Sequence, residues 1–249
     1  MITTPYVTLS STISLDGYLD TAAPPRLMLS NDADFDRVDE LRAQNDAIMV
    51  GANTVRRDNP RLLVRSIRRR SWRESAGLTC SPWKVTVTAS GDLDPRAAFF
   101  ADDNATKLVY CPSAQVTRIQ ARLGTAAIVI GLGGQITMGE LISDLSDRGV
   151  HRLMVEGGGT ILTQFLAADL ADELQLAMAP FFVGDSSAPR FVGDAAFPWT
   201  SDRRAALAET RTIGDIVLLR YALSARFRQG TGDAHRPASA LRPLVMGMS

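Results

Sequence analysis

LMVEGGGTIL, Leu153 to Leu162, sets three consecutive glycines between two apolar runs. Arg152 to Val155 reads as a short strand, and Thr160 to Ala168 as a helix with Ile161, Leu162, Phe165 and Leu166 on one side. Glycine lets a backbone approach a ligand closely, and the exposed N–H groups at a helix start attract anions. Phosphate is the natural ligand of such a turn. A tight strand-to-helix turn would need one or two glycines. Three in a row after Glu156 favour phosphate or pyrophosphate binding at Gly157, Gly158 and Gly159. The spacing is not GxGxxG, and no acidic residue follows at the expected distance, so the standard dinucleotide fold is not supported.

Strand and helix patterns alternate outward from this turn. Upstream, Tyr6 to Ser14, Ala47 to Val50, Lys84 to Thr88, Lys107 to Cys111 and Ala126 to Ile130 read as strands. Ser30-Asn31-Asp32 caps a helix whose apolar face is Phe35, Val38 and Leu41, ending near Gln44-Asn45. Ser113 to Leu123 has helical spacing. Thr137 and Glu140 form a capping box for a helix that ends at Arg148-Gly149. Arg61 to Thr79 reads as an arginine-rich loop. Downstream, Glu173 to Pro180 alternates at Leu174, Leu176 and Met178, as a strand with one exposed face does. Ala205 to Ile213 and Asp215 to Leu223 read as a closing hairpin. The pattern predicts an α/β domain over 1–225 with a mostly parallel sheet flanked by helices and a C-terminal antiparallel hairpin. Residues 226–249 lack periodicity and read as a loosely ordered tail.

Composition removes several function classes. Lys plus Arg number 27 against 27 Asp plus Glu, so the whole chain is not an electrostatic binder of nucleic acid or membrane. No apolar run approaches the ~20 residues a membrane span requires, and the N-terminus lacks a signal-peptide pattern. The expected location is the cytoplasm. With only Cys80, Cys111, His151 and His235, neither a disulfide framework nor a metal cluster is expected.

Gly51 to Pro60 (GANTVRRDNP) also follows a buried strand. Gly51 permits close approach, Thr54 offers a hydroxyl, and Arg56 and Arg57 suit a phosphate such as the 2′-phosphate of NADPH. Against this stands a solvated pair of arginines, with Asp58 capping a turn. Ser14-Leu15-Asp16-Gly17 reads as an ordinary Asp-Gly turn. Glu156 is an acid at a strand end, where open α/β sheets place ligands. The arginines from Arg65 to Arg73 suit a phosphorylated substrate or, equally, a solvated loop.

Taken in order, SLDG (Ser14–Gly17), LRAQNDAIMVGANTVRRDNPRLLVR (Leu41–Arg65) and LMVEGGGTIL resemble the reductase domain of riboflavin biosynthesis. DELQLAMAPFFVGD (Asp172–Asp185) is similar to that family's next stretch. The resemblance spans roughly Pro5 to Leu223. It implies a dihydrofolate reductase-like fold, commonly a homodimer, with NADPH as hydride donor. It also implies a small phosphorylated pyrimidine substrate like 5-amino-6-(5-phosphoribosylamino)uracil, whose ribose C1′ is reduced. By the same resemblance, Thr12, Thr54, Asp58, Ser90, Gly158, Gly159, Thr160 and Ile161 match cofactor positions. Arg42, Leu62, Arg65 and Glu156 match substrate positions. Asp58 or Glu156 would assist ring opening. Ser10 stands where relatives often carry Lys, and Arg26 to Ser30 replaces a Gly-rich segment ending in Trp-Ile-Ser or Trp-Ile-Thr. No zinc-deaminase signature is present in the sequence. The competing readings are a paralogous reductase of a pterin, folate or specialised pyrimidine, a non-catalytic nucleotide-binding protein, and an arginine-loop nucleic-acid binder.

Overall fold

Tyr6–Ser14, the first strand expected from the sequence, is β1 and lies deep inside a nine-stranded sheet. The computed structural model describes residues 4–227. The other strands are β2 (Ala47–Gly51), β3 (Trp83–Val87), β4 (Lys107–Cys111), β5 (Ile128–Gly131), β6 (Arg152–Gly157), β7 (Glu173–Ala179), β8 (Ala206–Ile213) and β9 (Ile216–Ala222). The helices are α1 (Asp32–Ala43), α2 (Ala52–Asp58), α3 (Ile67–Ser75), α4 (Val116–Leu123), α5 (Met138–Asp147) and α6 (Gly159–Ala167).

The order is β5-β4-β3-β2-β6-β1-β7-β9-β8. The pairings from β5 through β7 are parallel, and β7–β9 and β8–β9 are antiparallel. The expected mixed sheet and closing hairpin are both present. A parallel strand is covered on both faces, so its sequence runs continuously apolar. In β2, Ala47 and Met49 enter the core on one face and Ile48 and Val50 the core on the other. Leu141 and Leu145 of α5 and Phe165 of α6 cover the first face, and Ile119 of α4 the second. The expected capping box at Thr137 and Glu140 closes the start of α5.

Three local expectations are corrected. Arg61 to Thr79 is not all loop, because Ser66 Oγ caps α3 by accepting from Arg69 N–H. The helix shows no apolar period because arginine anchors it. Arg73 is buried and donates to the carbonyls of Thr79, Ala43 and Asn45 at 2.8, 2.8 and 2.7 Å. The apolar face assigned to α1 is only partly its buried face. Leu41 is buried, but so are Asp34 and Arg37, while Phe35 and Val38 border a cleft. The alternation in β7 is present with its faces exchanged. Glu173 and Gln175 are buried, and Leu174, Leu176 and Met178 are half-buried.

The cause of the last two is a polar layer between α1 and the sheet. Arg37 donates to Asp34 at 2.7 Å and to Gln175 at 2.9 Å. Gln175 donates to Glu173 at 2.8 Å, and Arg220 of β9 donates to Glu173 and Glu209. Buried polar groups persist where partners satisfy them. Near the end of the described residues, Arg226, first residue of the expected tail, donates to Asp172 and to the carbonyls of Thr4 and Pro5. The remainder of that tail, 228–249, lies outside the described residues.

Candidate active site

The connection from β1 to β2 skips the place that β6 later fills, so the chain reverses its direction of winding beside β1. Open α/β sheets place ligands at the carboxyl ends of strands flanking such a point. A cleft of ≈ 1640 Å³ lies there, lined by the ends of β1, β2, β3 and β6. Single small-molecule sites measure roughly 300–1,000 Å³, so the cleft is larger than one such site.

The glycine turn forms one wall. Gly157 has φ +120°, a region closed to most L-residues, and the Gly157–Gly158 peptide is cis. Gly158 is the N-cap of α6 and brings no side-chain cap. The N–H groups of Gly159 and Thr160 therefore open the helix without an acceptor from it. Gly159 has a separate reason to be glycine, because a Cβ there would collide with the carbonyl oxygen of Arg190. A Cβ on Gly51 would meet Ile161 Cγ1 at 2.9 Å, and one on Gly158 would meet Thr54 Oγ1 at 3.1 Å. The β2–α2 and β6–α6 turns thus press together, joining Gly51, Thr54, Gly158 and Ile161 at one point.

Arg42 and Glu156 form the floor. The guanidinium makes a bidentate pair with the carboxylate, both bonds 2.7 Å, and donates a third bond to Leu63 O at 3.1 Å. Neither is a free side chain waiting for substrate. Together they fix the segment that carries Leu62 and Arg65. Leu62 has φ +50° and is buried, yet borders the cleft, and Arg65 is exposed with its guanidinium over the Phe35 ring at 5.5 Å.

Asp58 ends α2 inside the cleft, 3.6 Å from Arg26. Burial pushes its carboxyl above the ordinary aspartate range, Arg26 pulls it back, and Asp20 adds to the rise. Arg26 and Asp20 both belong to the connection between β1 and α1. Arg57 leans to the same segment, at 3.3 Å from Thr21 O and 3.8 Å from Asp20. Arg56 is engaged with Asn53 and Asp92 O. Thr12 Oγ1 donates to Asp34 at 3.1 Å, and the buried Ser10 lines the cleft behind it. Ser90 is exposed in the loop that follows β3, and its carbonyl accepts from Arg118. All the site residues expected from the sequence border this cleft, except Gly157, which is buried behind the turn.

The Asp-Gly turn lies elsewhere. Asp16 accepts from Val183 N–H at 3.0 Å and Gly184 N–H at 2.7 Å, tying the loop after β7 to the end of β1. Sequence reading missed the loop Pro189–Asp194, which presses on the glycine turn through Arg190. Arg190 stacks on Tyr18 at 4.7 Å, and Gly193 N–H donates to Thr163 Oγ1 at 2.8 Å. Its only signal was Gly193 itself. Among the described residues no three of His, Cys, Asp and Glu gather as metal ligands, and no helix is long and apolar enough to cross a membrane.

Parallel strands, a glycine turn into α6 and a wide cleft beside it define an α/β protein with its site at the carboxyl edge of the sheet. The family model described as the RibD C-terminal domain matches residues 5–219. The 2,5-diamino-6-ribosylamino-4(3H)-pyrimidinone 5′-phosphate reductase of Archaeoglobus fulgidus is 30% identical over 225 residues, covering 90% of this chain and 99% of that protein. The protein of the same name from Methanothermobacter thermautotrophicus is 31% identical over 218 residues, covering 87% and 97%. The chain belongs to the RibD C-terminal domain family. Among solved structures, Acinetobacter baumannii RibD superposes with TM-score 0.71 at 24% identity, over 88% of this chain and 58% of that one. The Saccharomyces riboflavin biosynthesis reductase Rib7 gives TM-score 0.64 at 20% identity, over 90% and 91%. These two show the shared fold.

Proposed function

We propose that the protein is an NADPH-dependent reductase in riboflavin biosynthesis. Its substrate is a phosphorylated ribosylaminopyrimidine, and the ribose C1′ is reduced to give a ribityl chain. The observation that carries this reading is the two-turn cradle of Gly51, Thr54, Gly158 and Ile161 beside the Arg42–Glu156 floor. The cradle suits a dinucleotide: a Cβ at Gly158 would crowd it against Thr54, and the start of α6 offers N–H groups to a diphosphate. Gly157–Ile161, Thr54, Thr12 and Ser90 would hold NADPH, and the nicotinamide supplies hydride when bound.

The residues of this chain bind, orient and exclude water. Arg42 and Glu156 hold the Leu62–Arg65 segment against the substrate. Both Glu156 oxygens already accept from Arg42, so Glu156 acts mainly by position. Asp58 is the better proton carrier: it has one long contact to Arg26, and burial favours its protonated form. Opening the ribose ring moves a proton to the ring oxygen, and the Asp58 carboxyl would supply it. As the family resemblance implies, the protein would act as a homodimer, and its sequence is read as cytoplasmic. The test is oxidation of NADPH and of NADH with the 5′-phosphorylated pyrimidine and with dihydrofolate. Rapid oxidation of NADPH with the pyrimidine alone supports the proposal; turnover only with dihydrofolate refutes it.

A further inference from the structure

Asp34, in the first turn of α1, is fully buried and does not itself border the cleft. Its place is fixed from two sides. Asn31 caps the helix by accepting from Asp34 N–H at 2.9 Å. The Asn31 amide in turn donates to Ile213 O and to Asp215 at the β8–β9 turn, both at 2.8 Å. On the other side, Arg37 donates to Asp34 Oδ1 at 2.7 Å. That leaves Oδ2, which accepts from Ser30 Oγ at 2.6 Å and from Thr12 Oγ1 at 3.1 Å. The two hydroxyl oxygens lie 3.1 Å apart. Thr12 of β1 and Ser30, just before α1, are both half-buried and both line the cleft.

A hydroxyl has one proton to give and two lone pairs, and an ion-paired carboxylate only accepts. Two arrangements keep these contacts. Both hydroxyls donate to Oδ2, or one donates to the other and that one to Oδ2. Each arrangement uses up both protons inside the triad, so only lone pairs are left to face the cleft. Serine and threonine ordinarily serve as donor or acceptor alike; here the buried carboxylate makes both of them acceptors. Arg37 balances the charge of Asp34, so the pair presented to the cleft is neutral. Such a pair suits an uncharged N–H donor, an amide or an aromatic amine, and disfavours an anion. Two carboxylates that border the cleft, Glu156 and Asp39, are already occupied by Arg42 and Arg69.

We infer that Asp34 is a positioning residue, which holds the Thr12 and Ser30 hydroxyls as a paired acceptor that reads an uncharged N–H group on a bound ligand. The inference deepens the reductase reading and rests on it for the choice of ligands. Two groups of that reaction have this chemistry, the carboxamide of the nicotinamide and the 2-amino group of a diaminopyrimidinone.

The experiment is calorimetric titration of the full chain with two pairs of probes. The first is NADPH against its 3-acetylpyridine analogue, in which a methyl ketone replaces the carboxamide. The second is 2,5-diamino-6-ribosylamino-4(3H)-pyrimidinone 5′-phosphate against 5-amino-6-(5-phosphoribosylamino)uracil, which has oxygen in place of the 2-amino group. Wild type should prefer the N–H donor by about tenfold in one pair, the worth of one well-placed hydrogen bond. Asp34→Asn puts a donor into the triad and turns a hydroxyl proton outward, and Thr12→Val deletes one acceptor. Each should erase most of that preference, and Thr12→Ser should keep it. The pair whose preference collapses identifies the group that is read. Thr12→Val leaves the Asp34–Arg37 pair intact, so it carries the test if Asp34→Asn does not fold. Preferences in both pairs that are absent from wild type, or unchanged in Thr12→Val, overturn the inference while leaving the reductase reading in place. Failure of wild type to bind NADPH and both pyrimidines sinks that reading and the inference with it.

Discussion

Arg42 and Glu156, 114 positions apart in sequence, meet in a two-bond ion pair at 2.7 Å, with side-chain exposures of 13% and 14%. The pair ties α1 to the end of β6 and suspends the Leu62–Arg65 segment through Leu63 O. Removing one partner leaves the other charge with little solvent. Glu156→Ala should destabilise the fold by about 3 kcal/mol, toward the lower end for a buried pair. It should also raise KM for the pyrimidine far more than the Kd for NADPH. Denaturant titration and steady-state kinetics check both, and Arg42→Ala combined with Glu156→Ala should cost less than the sum of the single changes.

Gly159 and Gly139 both sit in the first turn of a helix, in contrasting surroundings. A Cβ at Gly159 strikes the Arg190 backbone, whereas a Cβ at Gly139 meets nothing within 4 Å. Gly159→Ala should displace the Pro189–Asp194 loop and weaken NADPH binding at least tenfold. Gly139→Ala should leave binding unchanged and add up to about 1 kcal/mol of stability by helix propensity. Fluorescence titration with NADPH and thermal melts of both variants separate the effects.

Asp16 provides a pH signature. Partial burial pushes its carboxyl up, but hydrogen bonds from Ser14, Val183 and Gly184 outweigh that and hold its pKa at about 2, below the usual 3.8. A depressed folded pKa means the contribution is complete above the unfolded value and is lost as pH falls through 2. Wild type should therefore melt above Asp16→Ala by a constant margin at pH 5 to 7. The margin should shrink below pH 4 and vanish near pH 2. A margin independent of pH would assign the effect to packing instead.

Gln175 bridges Arg37 and Glu173 in the layer beneath α1. Gln175→Leu keeps the volume but leaves Arg37 Nη1 and Glu173 Oε1 each short of a partner. The cost should be about 1–3 kcal/mol by urea unfolding. Leu176→Ala on the opposite face supplies the comparison for lost apolar packing.

The strands were legible because parallel strands must be apolar throughout, as AIMV at Ala47–Val50 and RLMV at Arg152–Val155 are. The glycine turn was legible because three glycines announce close backbone approach. The polar layer was hidden, since its partners Asp34, Arg37, Glu173 and Arg220 are spread over 187 positions and each reads locally as a surface residue. Helix α3 was hidden for the same reason, with Arg73 filling the place that an apolar side chain usually takes. In the site, sequence brought forward Arg42 and Glu156 separately and did not show that they bind each other. The contact of Arg190 with Gly159 was likewise invisible, because it passes through a backbone oxygen.

The proposed reaction is hydride delivery to a phosphorylated ribosylaminopyrimidine in this cleft. The direct measurement is turnover with NADPH carrying deuterium at nicotinamide C4, followed by mass spectrometry of the product. One stereoisomer of the labelled cofactor should place a single deuterium at the ribityl C1′ and add one mass unit. A product without deuterium from either stereoisomer, or no product from the phosphorylated pyrimidine, would contradict the claim.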